Sequence, residues 1–215
     1  MKAKTSLRIL FFTFLIYTPG LIAQDYGLAL KAGTMGPSLE VTRSFTPKFN
    51  VRIGAAALTY TSKNLQSSNQ YNTDASLKLS SATALADWFP FGGSFRLSGG
   101  AVINLNKASM TLIPTKTYSD GNIEYTPDKL GVLKVDITFQ KVAPYLGIGF
   151  GNPSGGNRGF GMTFDLGTFY QNAPKVSMSA TNLLAPSASQ SGQLQDNLKW
   201  FKFYPVLSIG LDYKF

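Results

Sequence analysis

The end of the chain constrains the fold most. From Phe203 to Phe215 the odd positions are Phe203, Pro205, Leu207, Ile209, Leu211, Tyr213 and Phe215; the even ones are Tyr204, Val206, Ser208, Gly210, Asp212 and Lys214. Successive side chains of a strand point to opposite faces, so this segment is a strand with one apolar face ending in aromatics and one small or polar face. Soluble strands run to about 5–6 residues, whereas a strand that crosses a bilayer needs about 9–11. The alternation here is long enough for the second kind.

The same period of two recurs upstream. Phe160, Met162, Phe164 and Leu166 alternate with Gly161, Thr163, Asp165 and Gly167, and Val142, Pro144, Leu146, Ile148 and Phe150 with Ala143, Tyr145, Gly147 and Gly149. Leu97, Ala101, Ile103 and Leu105 alternate with Arg96, Ser98, Gly100 and Asn104, while Ala82, Ala84, Ala86 and Trp88 oppose Leu85 and Asp87. Near the start, Leu28 and Leu30 oppose Ala29 and Lys31, Leu39 and Val41 oppose Glu40, and Val51 and Ile53 oppose Arg52. The pattern predicts eight strands, at roughly 25–34, 37–45, 49–61, 73–88, 94–107, 139–150, 159–171 and 201–215. The expected fold is all-β: an eight-stranded antiparallel up-and-down transmembrane β-barrel, whose even strand number puts both ends on one side.

The links agree with that plan. Thr46-Pro47-Lys48, Pro90 to Gly93 and Asn152 to Arg158 are short and rich in turn formers, whereas Ser62 to Asn72, Ala108 to Thr138 and Asn172 to Lys199 are long and polar. Tight turns on one rim and large loops on the other are the barrel arrangement, with the tight link at Thr34-Met35-Gly36 as the exception. Aromatics including Phe45, Phe49, Trp88, Phe89, Phe91, Phe95, Phe150 and Phe160 gather at the short turns, as in the girdle of such a barrel. Pro144 is awkward, because proline donates no ladder hydrogen bond; a bulge or a missing bond is expected there.

The first residues read as an export signal: Lys2, Lys4 and Arg8, an apolar run from Ile9 to Ile16, a break at Pro19-Gly20, and a cleavage site before Gln24. Residues 1–23 are therefore expected to be a signal peptide and 24–215 the barrel domain. After residue 23 no apolar run approaches the roughly 18 residues of a membrane helix. The net charge of +9 falls to +6 when the three leader cations go. The remaining bases are scattered, without the stripe a nucleic-acid binder needs, and suit a surface that meets anionic lipopolysaccharide. The chain has no Cys, and a closed sheet needs no disulfide because it has no free edge.

The terminal Leu211-Asp212-Tyr213-Lys214-Phe215 resembles the C-terminal signal that barrel assembly machinery reads in outer-membrane proteins, with Leu211, Tyr213 and Phe215 in its apolar positions. Asp87-Trp88-Phe89-Pro90-Phe91-Gly92-Gly93 and Lys141-Val142-Ala143-Pro144-Tyr145-Leu146-Gly147 resemble segments of small proteobacterial outer-membrane proteins similar in plan to outer membrane proteins A, X and W. The resemblance spans the mature chain and implies a location in the cell outer membrane and outer-membrane lipid as partner. It implies no reaction.

With no His and no Cys, Ser–His–Asp, Cys–His and histidine-metal sites are impossible, and neither a catalytic residue, a metal nor a cofactor is expected. A carboxylate pair drawn from Asp87, Asp165 and Asp212 remains open on composition alone. The stronger reading of the inward-facing set is a charge network of Lys31, Glu40, Arg52, Asp87, Arg96, Lys141, Asp165 and Asp212, because charges inside an eight-stranded barrel must pair. Asp87 and Arg96, on either side of one tight turn, are expected to face each other. The many small inward residues either make room for the long basic side chains, the favoured reading, or leave a narrow cavity near Tyr60, Tyr145, Phe169 and Tyr204. Three functions follow: a non-enzymatic envelope barrel with a structural or surface-interaction role carried by residues 108–138 and 172–199; a narrow channel or carrier for small, apolar molecules; and a soluble lipocalin-like binder, which needs the opposite orientation of apolar side chains.

Overall fold

A computed structural model describes residues 25–63, 71–120, 123–154 and 158–215. The leader with its cleavage site and the Gly155-Gly156-Asn157 turn lie outside the described residues. Thirteen strands are described: β1 (Tyr26–Gly33), β2 (Ser38–Thr46), β3 (Phe49–Ser62), β4 (Tyr71–Trp88), β5 (Phe95–Asn104), β6 (Lys107–Pro114), β7 (Tyr118–Asp120), β8 (Ile123–Tyr125), β9 (Leu133–Thr138), β10 (Val142–Phe150), β11 (Gly159–Tyr170), β12 (Lys175–Ala180) and β13 (Phe203–Lys214). A short α1 (Pro127–Leu130), a 3-10 helix (Asn182–Gln190) and α2 (Ser191–Asn197) complete the elements.

Eight of the strands close a ring in the order β1-β2-β3-β4-β5-β10-β11-β13 and back to β1, every neighbour antiparallel. The last strand seals it: Leu30 lies opposite Leu211, and the Phe215 amide donates to the Tyr26 carbonyl at 3.1 Å. Alternation then fixes what each face carries. Lys31, Arg52, Asp87, Arg96 and Asp165 are buried inside, whereas Leu30, Ile53, Leu146, Met162, Ile209 and Leu211 stand exposed outside. This arrangement is the reverse of a soluble barrel. At the short-turn rim the outward rings touch one another: Phe95 lies 5.4 Å from Phe150, and Phe160 4.9 Å from Tyr213. Phe89 is not part of that rim. It points inward and is fully buried.

Beyond the ring the sheet continues on one side only. Along β4, the pairing Ser81↔Asn104 to β5 and the pairing Lys78↔Lys107 to β6 share one register, so β5 and β6 are one strand interrupted at Leu105-Asn106. The pairings Val142↔Ile103 and Thr138↔Lys107 likewise make β9 and β10 one strand interrupted at residues 139–141. The upper part of β4 with β6, β9 and β12 forms a tall wall rising from the ring. Residues 108–138 and 172–199, expected as loops, are therefore largely ordered strand and helix. Their polar composition hid the alternation because the wall's two faces invert those of the ring.

Pro144 causes no bulge. The register of β10 with β5 runs unbroken through Pro144↔Ala101, and the ladder of β10 with β11 begins only at Tyr145↔Phe169. The proline sits at the end of a ladder, where a missing donor is tolerated.

Candidate functional site

The interior of the ring carries the densest chemistry. Lys31 from β1 contacts Glu40 of β2 at 2.5 Å and Asp165 of β11 at 2.8 Å. Arg52 of β3 lies at the centre, 3.0 Å from Glu40, 2.9 Å from Asp87 and 3.0 Å from Asp165. Arg96 of β5 completes the set at 2.7 Å from Asp165, and also bonds the Thr163 hydroxyl at 2.8 Å and the Gly151 carbonyl. Three cations and three carboxylates thus brace strands from opposite sides of the ring. Desolvating them is costly, and their mutual contacts offset that cost because each lies against more than one partner, although Asp87 Oδ2 and Arg96 Nε accept or donate no hydrogen bond among the described residues.

Two of the eight residues expected here do not join. Lys141 is exposed: it falls in the 139–141 interruption between β9 and β10, which frees its side chain from the inward alternation. Asp212 is buried, only 2 % exposed, but neither carboxylate oxygen has a hydrogen-bond partner and no cation lies within ion-pair distance among the described residues. The expected Asp87–Arg96 pair is present at 3.8 Å, but each partner makes a closer contact elsewhere. Asp87 lies opposite Ser98 in register, accepts its hydroxyl at 2.5 Å, and is nearest to Arg52; Arg96 stands 3.8 Å away and turns to Asp165. A charge exchange between Asp87 and Arg96 is therefore not expected to restore either single variant. The hydroxyls of Ser98 and Thr163 also join the network; inward parity places both there, but carrying no charge they give no sign of it in the sequence.

Small residues make room for these side chains. A Cβ on Gly149 would meet Arg96 Nε at 2.7 Å, one on Gly161 the Asp212 carboxylate at 2.7 Å, and one on Gly54 Glu40 Cγ at 2.6 Å. Next to the charges lies an apolar layer of Leu85, Val102, Ala143, Tyr145, Phe169 and Val206, with Phe169 stacked on Tyr204 at 4.8 Å. The space left between the two layers is a cavity of about 30 Å³, bordered by Met35, Glu40, Arg52, Tyr145 and Asp165. It holds water-sized occupants only.

The wall has its own, exposed polar cluster. Asp136 of β9 accepts the Ser109 hydroxyl at 2.6 Å and lies 3.2 Å from Lys107 and 3.4 Å from Lys134. The Ser109 hydrogen bond first, then the two lysines, hold its carboxyl below the ordinary carboxylate range.

No family model and no curated protein matches this sequence. Its structure is similar to two crystal structures from Acinetobacter baumannii. That of CarO2 has a TM-score of 0.59 at 17% identity over 89% of this chain and 98% of that one. That of CarO has a TM-score of 0.58 at 20% identity over 92% and 100%. The fold defines the chain as an all-β protein built on a closed antiparallel ring. Over about nine-tenths of its length the fold is similar to those of CarO and CarO2.

Proposed function

We propose that this protein is a non-enzymatic integral barrel of the outer membrane that displays its one-sided wall at the cell surface. One observation carries the reading: polarity inverts along continuous strands. In the ring, the outward positions of β4 are Ala82, Ala84, Ala86 and Trp88 and the inward ones include Asp87. In the wall, outward positions of the same strand are Lys78, Ser76 and Asp74, and Leu77 and Ala75 occupy the other face. The partners repeat the change, from outward Leu97 and Ile103 on β5 to Lys107 and Ser109 on β6. A strand passing from hydrocarbon into water requires this switch, since its exterior must match first lipid and then solvent. Membrane fractionation with gel mobility tests the reading. The account expects the protein in the outer-membrane fraction, running faster unboiled than boiled; recovery as a soluble periplasmic protein would refute it.

The packed interior favours a structural or surface role over conduction. Ion pairs from β1, β2, β3, β4, β5 and β11 cross the ring, and the apolar layer stacks on them. Purified protein in planar bilayers is expected to give no steady single-channel current. Regular current steps would favour the channel reading instead.

A further inference from the structure

The exterior of the wall carries a row of bases whose place follows from register. Lys78 of β4 lies opposite Lys107 of β6, Lys107 opposite Thr138 of β9, and Thr138 opposite Lys175 of β12. Directly opposed residues share a face, so the three lysines stand in one line across four strands about 4.8 Å apart. Like charges directly opposed destabilise a sheet unless something neutralises them. Lys107 has Asp136 at 3.2 Å, but among the described residues neither Lys78 nor Lys175 has a carboxylate within ion-pair distance. Toward the ring on the same exterior stand Leu105, two residues from Lys107, and the paired Ile103 and Val142, four residues from Lys107 and Thr138, 48–58 % exposed. A free phosphate ion has no use for that apolar surface. A ligand with phosphates above acyl chains uses both.

Resting on the outer-membrane reading, we infer that Lys78, Lys107 and Lys175 bind the phosphate groups of lipopolysaccharide in the outer leaflet, with the Thr138 hydroxyl donating between them. A cation near an anionic lipid surface contributes about 1 kcal/mol, so loss of all three weakens binding about 100-fold. The test measures binding of lipid A, intact or enzymatically dephosphorylated, to the folded protein in neutral detergent. It compares the natural protein, the triple variant Lys78→Gln/Lys107→Gln/Lys175→Gln and the opposite-rim variant Lys48→Gln/Lys214→Gln, each first shown to keep heat-modifiable mobility. The inference expects phosphate-dependent binding by the natural protein, about 100-fold weaker binding by the triple variant, and binding within twofold of natural by the opposite-rim variant. Equal binding by the triple variant overturns it, as does indifference to dephosphorylation or full competition by millimolar inorganic phosphate. A protein that inserts into membranes yet behaves in any of these ways sinks this inference alone, whereas one that never enters the membrane sinks the reading beneath it.

Discussion

Asp165 and Asp212 sit on adjacent strands inside the same ring, yet they should respond oppositely to the same change. Asp165 contacts three cations within 3.0 Å. Asp165→Asn keeps the shape but leaves three bases facing two acids, and breaking a buried network in this way costs about 3–5 kcal/mol. Urea unfolding in detergent should show a much lower midpoint. Among the described residues Asp212 has no hydrogen-bond partner for either oxygen, so burial costs its charge more than it returns, and Asp212→Asn should leave the midpoint unchanged or raise it. A large loss there would reveal a partner for the carboxylate. The residue identities of the network were legible because inward parity and charge coincide in Lys31, Glu40, Arg52, Asp87, Arg96 and Asp165. Which base lies closest to each acid was not: a guanidinium reaches across several strands, so Arg52 stands nearer Asp87 than Arg96 does, and that ranking depends on three-dimensional reach.

At the scale of elements, the wall is held by cross-strand pairs rather than by closure. Asp136 joins β6 to β9 through Ser109 and Lys107. A carboxyl held below its ordinary range stabilises the folded wall above that range, and this contribution fades as pH falls through the depressed folded value. Ser109→Ala removes the largest cause of the depression. Carbon-detected NMR should then show Asp136 titrating at higher pH than in the natural protein; an unchanged titration would assign the effect to the lysines alone. The eight ring strands were readable from a simple apolar-out alternation. The wall strands were not, because beyond Ser80 and Leu105 the same alternation carries Lys, Ser and Thr outside, and a polar stretch with long spacing looks like a loop. The interruptions at Leu105-Asn106 and at residues 139–141 hid the continuity further.

For the whole molecule, the account depends on where the exterior changes its solvent. The chain has no Cys, so single cysteines can report position by position without background. A polarity-sensitive fluorophore on Ile209→Cys or Leu146→Cys samples the ring exterior, and one on Ser109→Cys or Ser177→Cys the wall exterior. The most direct measurement is quenching of each label in reconstituted vesicles by brominated acyl chains and by aqueous iodide. The account predicts that the two ring labels respond to brominated lipid and not to iodide, and that the two wall labels do the reverse. Iodide quenching at all four positions, without response to brominated lipid, would contradict it.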